Sequence, residues 1–121
     1  MANLEVPTEN LLNAVVRLPS KEFERFFKNA RQIKQRETQL IAKFNEFNLS
    51  PEKEKLYRNL LKKFRAERIA PEENKTLVEL TEELETLGVE RLKCLIEIAK
   101  IRNSTIDEVI KDLNIKPRNY G

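Results

Sequence analysis

Apolar residues recur along this chain in steps of three and four, the spacing that lines one face of an α-helix. Phe23, Phe26, Phe27, Ala30, Ile33, Leu40, Ile41, Phe44 and Phe47 follow this rhythm and predict a long helix over about 20–48, opened by Ser20 after Pro19. Leu11, Leu12, Val15 and Val16 predict a short helix over about 8–17, with Thr8 as its cap. Ser50 followed by Pro51 is a helix start, since serine caps well and proline fits the first turn. Leu56, Tyr57, Leu60, Leu61 and Phe64 then mark the inner face of a helix over about 51–68. Pro71, with Glu72 and Glu73 behind it, opens a second long helix over about 71–102. Leu77, Leu80, Leu84, Leu87, Leu92, Leu95, Ile98 and Ala99 carry its pattern. Asn103 and Ser104 break that pattern, and Ile106, Val109, Ile110 and Leu113 predict a last helix over about 105–113 before a polar tail, "NIKPRNYG".

With two glycines and five prolines in 121 residues, the chain suits long helices joined by short connectors, so an all-α bundle or hairpin in one domain, 1–121, is expected. Cys94 is the single cysteine and there is no histidine. An intrachain disulfide is therefore impossible, and the usual zinc and haem sites lack ligands. In "RLKCLIEIA" the thiol reads as a small buried hydrophobe, with no histidine to activate it. No cofactor is implied. No stretch approaches the length of a membrane span, and "MANLEVPTEN" lacks the order of a signal peptide, so a cytoplasmic protein is the expectation. There is no glycine-rich phosphate loop, and no carboxylate pair stands out from the charged helix faces; the chain reads as non-enzymatic.

"LIEIAKIRNSTIDEVIKDLNI", residues 95–115, has the outline of a helix-turn-helix. Its second helix would bring Asp107, Glu108 and Asp112 towards phosphates, with only Lys111 to offset them, and carboxylates oppose the counterion release that drives such binding. Thr105 and Glu108 match a capping box, and a packed C-terminal hairpin is the better reading. The basic residues lie elsewhere. Residues 1–70 hold 15 Lys and Arg against 9 Asp and Glu; residues 71–121 hold 8 against 11. Lys55, Arg58, Lys62 and Arg65 line one side of their helix and are the candidates for weak, sequence-independent nucleic-acid binding. Glu72, Glu79, Glu83 and Glu90 share a side of the next helix, so charge matching within the chain competes with phosphate binding.

Two charges interrupt the apolar stripes. Glu37 lies between Ile33 and Ile41, and Arg91 among Leu84, Leu87, Leu95 and Ile98. Each is a buried ion in need of a partner or a place where the stripe meets solvent, and the sharper expectation is that both belong to an interface and pair with each other. Length raises a further expectation. At about 1.5 Å per residue the two long helices would run ~40 and ~48 Å, beyond the ~35 Å diameter of a compact chain of this size. Either the second kinks, with Gly88 the place for it, or a stripe of Leu77, Leu80, Leu84 and Leu87 projects and is covered by a second chain in an elongated homodimer.

Three segments, "KKFRAERIAPEE", "LVELTEELETLGVERLKCLIEIAKIR" and "DEVIKDLNIKP", give residues 50–117 a likeness to known sequences, and "LPSKEFERFFKNARQIK" fits more loosely. The chain resembles a group of small all-helical proteins found mainly in cyanobacteria, often encoded beside HNH-type nuclease genes. The resemblance implies a nuclease as partner, which the chain would chaperone, inhibit or recruit. It departs from the group at Asn114, where a glycine is expected after the last helix. Three functions follow as expectations: a protein-binding helical adaptor, antitoxin-like or inhibitory; a nucleic-acid-binding protein using its basic helix face; and a self-assembling structural module.

Overall fold

The computed structural model describes residues 6–117, and the last four residues of the polar tail lie outside them. Five helices follow one another: α1 (Thr8–Val16), α2 (Ser20–Glu46), α3 (Pro51–Arg65), α4 (Pro71–Arg102) and α5 (Ile106–Asp112). The described residues contain no strand. The all-α expectation holds, and helix starts agree with the reading to within a residue.

Ser50 caps α3, its hydroxyl accepting from the Lys53 N–H at 3.2 Å, and Pro51 occupies the first helical position. At the head of α4 the Glu73 carboxylate accepts from the Ala70 N–H at 3.1 Å. The capping roles expected of Thr8 and Ser20 are corrected: both are already helical, Pro7 and Pro19 stand at the caps, and neither side chain makes a cap bond. Three helices end alike. A residue with positive φ follows α3 (Glu67, 56°), α4 (Asn103, 50°) and α5 (Asn114, 53°). In each case the next N–H reaches back five residues: Arg68 to Lys63, Ser104 to Ala99, Ile115 to Ile110, all at 2.9 Å. This closing turn satisfies carbonyls the helix leaves open. Asn114 thus does the work of the glycine expected there.

α4 is the spine, and it runs helical through Gly88 without interruption. α3 packs along its first half and the second half of α2 along its last, so α2 and α3 lie one after the other beside a single helix. Contacts fix both directions as antiparallel: Lys53–Glu83 and Lys63–Glu73 between α3 and α4, and Glu37–Arg102 with Phe44–Arg91 between α2 and α4. The main core joins Leu40 and Phe44 of α2, Cys94, Leu95, Ile98 and Ala99 of α4, and Val109 of α5. Ile98 and Val109 are wholly buried. A second, thinner core holds Leu60, Leu77 and Leu80, flanked by Tyr57, Leu61 and Ile69. α5 packs on the end of α4, with Ile106, Ile110 and Leu113 against the main core. Residues 95–115 therefore form the closing hairpin.

Candidate interaction surfaces

On α2, Phe23, Phe26, Ala30, Ile33, Glu37, Leu40 and Phe44 alternate steps of three and four without a break, and Phe47 just past its end keeps the step. That is a coiled-coil seam. α4 carries its match in Leu77, Leu80, Leu84, Leu87, Arg91, Cys94, Ile98 and Ile101. The two seams meet only in part, because α4 ends at Arg102 beside Glu37. Residues 20–32 of α2 extend past that end by ~20 Å. On this arm Phe26, Phe27 and Ile33 stay 49%, 46% and 52% exposed. The Phe23 and Phe27 rings pack on each other with centroids 4.8 Å apart. α1, at the head of the arm, buries none of its residues and exposes Leu11, Leu12 and Val16.

The expected projecting stripe is therefore corrected in place. Leu77 and Leu80 are buried against Leu60 within the chain, and Leu84 and Leu87 are half-buried. α3 covers the first half of α4, so the helix that overhangs is α2. The signal lay in the lengths: α3's 15 residues take up about half of the 32-residue α4, too little of which remains for a 27-residue α2.

Glu37 and Arg91 do not pair with each other. Glu37 is buried and takes a two-pronged contact from Arg102, Nε to Oε2 and Nη2 to Oε1, both at 3.1 Å. Lys34 approaches Glu37 at 3.6 Å, and Asp112 approaches Arg102 at 3.9 Å. The Arg102 hydrogen bonds hold the Glu37 carboxyl below the usual carboxylate range, outweighing the burial that would raise it. Glu37 in turn raises the Arg102 guanidinium. Arg91 lies over the Phe44 ring, its Cζ 3.9 Å from the centroid, and donates to Asn48 Oδ1 at 2.9 Å. It ties the α2–α3 connector to α4. Gly88, near this crossing, has open space where a Cβ would stand.

Lys55, Arg58, Lys62 and Arg65 are all exposed. At about 100° per residue they centre about 180° from buried Leu60, on the side of α3 turned from α4. Arg58 bonds Glu54 one turn away at 2.8 Å. The charge matching anticipated with α4 uses other lysines, Lys53 and Lys63, which meet Glu83 and Glu73. The Lys63 contact also holds the Glu73 carboxyl below its ordinary range. Of the other α4 carboxylates on that side, Glu90 pairs with Lys93 on its own helix, and Glu72 and Glu79 are exposed.

A third apolar surface lies on the flank of α4, where Val89, Leu92 and Ile96 are exposed beside a shallow cleft floored by Phe44 and Leu95 and edged by Ile115 and Pro117. Among the described residues no group of His, Cys, Asp and Glu is placed to hold a metal ion, and no helix is long and apolar enough to cross a membrane. Cys94 is buried, and burial pushes its thiol above the ordinary range. No family model, curated protein or solved structure matches this chain.

Proposed function

We propose that the chain is a non-enzymatic protein-binding module and that its working surface is the arm formed by α1 and the first half of α2. One observation carries this reading. The seam of α2 is apolar on either side of Glu37, its second half is filled by α4, and its first half presents Phe26 and Ile33, with Phe27 beside them, at about half exposure. Large half-exposed aromatic side chains on a preformed helix are what an amphipathic docking surface offers. The nuclease implied by the resemblance is one protein such an arm would serve. Capture of partners from native extract by the tagged chain, with nuclease treatment to remove nucleic-acid bridges, tests the reading. Partners should survive that treatment and be lost with Phe26→Glu, a change outside both cores. Equal capture by the chain and the variant would refute it.

A second reading rests on the outward basic face of α3. Lys55 and Lys62 have no carboxylate within ion-pair distance among the described residues, and all four cations share the side away from α4. Such a face would track a nucleic-acid backbone weakly and without sequence preference. Four phosphate contacts would give a slope of about −3 in log affinity against log salt. Charge reversal at Lys55, Arg58, Lys62 and Arg65 should abolish binding at low salt. Sequence-specific binding lost on changes at Asn103, Thr105 and Lys111 would refute this reading.

A further inference from the structure

The open half of the α2 seam carries information about what fills it. In an antiparallel pair of helices the first core position of each heptad faces the second core position of the other helix. Three registers bring the exposed seam against a copy of itself. In the shortest, Phe23 faces the partner's Phe26, and Ala30 and Ile33 stay uncovered. In the longest, Phe26 would face the partner's Glu37, where Arg102 and the end of α4 already sit. Only the middle register uses the open positions and no others. It sets Phe23 against the partner's Ile33 and Phe26 against the partner's Ala30, a large side chain opposite a small one.

The flanking positions fit the same register. Phe27 meets its own counterpart beside the axis, and Asn29 does the same on the other flank. Glu22 comes opposite the partner's Arg36. Arg36 is half-exposed and bonds Glu97 at 2.8 Å through one nitrogen, and its guanidinium has donors left for a second carboxylate. Phe23 would also approach the hollow that Ile33 and Ile101 line at the end of the partner's α4. Lys21, Glu24, Arg25, Lys28 and Arg31 fall outside the seam, so no like charges are forced together in it.

We infer that two copies of this chain associate through their arms, the first halves of α2 crossing antiparallel on a two-fold axis near residue 28. The inference rests on the arm being a protein-docking surface and names its occupant. The contact is continuous with the α2–α4 interface and extends the same seam past the end of α4. Phe26, Phe27 and Ile33 expose roughly 300 Å² per copy, judged from about 200 Å² for a whole aromatic side chain. That is within the range of functional surface patches, and below the ~800 Å² per partner of a standard interface. The association is accordingly weak.

Sedimentation equilibrium on the full chain over a wide concentration range tests this, with circular dichroism as the control for folding. The mass should rise from one chain of 14.3 kDa towards two as concentration increases. Phe26→Glu, or Phe26→Ser as the milder change, should hold it at one chain with helicity unchanged. Glu22→Arg should weaken the dimer by about fivefold or more, and adding Arg36→Glu to the same chain should restore it. A single-chain mass at every concentration would overturn the second copy as occupant; the arm would then serve another protein, which the capture experiment reads separately. A dimer that survives Phe26→Glu would place the contact on another surface. A dimer lost with Phe26→Glu but indifferent to the paired charge reversal would overturn the register.

Discussion

Removing Arg102 should cost more than removing Glu37, although the two share one contact. With Arg102→Ala, the Glu37 carboxylate is left only 7% exposed, with Lys34 at 3.6 Å as its remaining cation. The Lys34 side chain is 77% exposed and holds little of that charge. With Glu37→Ala, the Arg102 side chain keeps 27% exposure and Asp112 at 3.9 Å, so it turns to water. Breaking a fully buried pair costs about 3–5 kcal/mol. Partial solvent access lowers this to about 2–4 kcal/mol for Arg102→Ala and about 1–2 kcal/mol for Glu37→Ala. Exchanging both at once, Glu37→Leu with Arg102→Met, should return most of the loss, since apolar replacement of a buried pair is often neutral or better. Urea unfolding followed by circular dichroism reads all three variants. The pH dependence has a definite sign. The folded-state pKa of Glu37 is lowered from 4.5, so its stabilisation is fully present above pH 4.5 and is lost as pH falls through the lower folded value. The cost of Glu37→Gln should therefore shrink towards zero in that acid range. Equal costs for the two alanine variants, additive costs in the double variant, or a Glu37→Gln cost independent of pH would refute the account.

Cys94 should react slowly with a thiol reagent in the folded chain and rapidly in denaturant, because it is buried and its thiol is pushed up; fast native labelling would show the core open there. Glu67 has φ of 56°, a conformation costly to a residue with a Cβ. Glu67→Gly should therefore be neutral or stabilising by up to about 1 kcal/mol, measured by urea unfolding, and a clear loss would mean the Glu67 side chain matters. Leu60→Ala should cost about 2–4 kcal/mol and loosen one end of the molecule. Hydrogen exchange should accelerate over 51–65 and 71–84 and change little over 91–110, and uniform acceleration would argue against two separate cores.

Much of this fold is legible in the order of residues, and the reason is local. Pro19, Pro51 and Pro71 each forbid the helix before them from continuing, and Ser50 and Glu73 supply the capping oxygens that start the next. Helix ends are less legible. α3 stops at Arg65 and not near 68, because Glu67 takes the left-handed turn that glycine or asparagine would ordinarily signal. The partner of Glu37 was missed for a different cause. Position on a wheel shows that a charge lies in an apolar stripe, but its partner is set by the register between helices far apart in sequence. Arg102, 65 residues away, comes beside Glu37 because α4 packs along α2 and ends at Asn103.

The same limit explains the projecting surface. Periodicity alone treats the apolar seam positions of α2 as equals, since Phe23 and Phe44 have the same spacing and similar chemistry. What separates them is how much helix remains to cover them once α3 has taken its share of α4. Glu37 stands where the covered half gives way to the open half. An apolar residue there would make the seam uniform and leave the register of α4 to its contacts with α3 and α5 and to Arg91. A buried charge at a core position adds to these, because any slip leaves it without its partner. Asn103 ends α4, the Glu37–Arg102 pair holds that end beside residue 37, and beyond it Phe26 and Ile33 stay about half exposed.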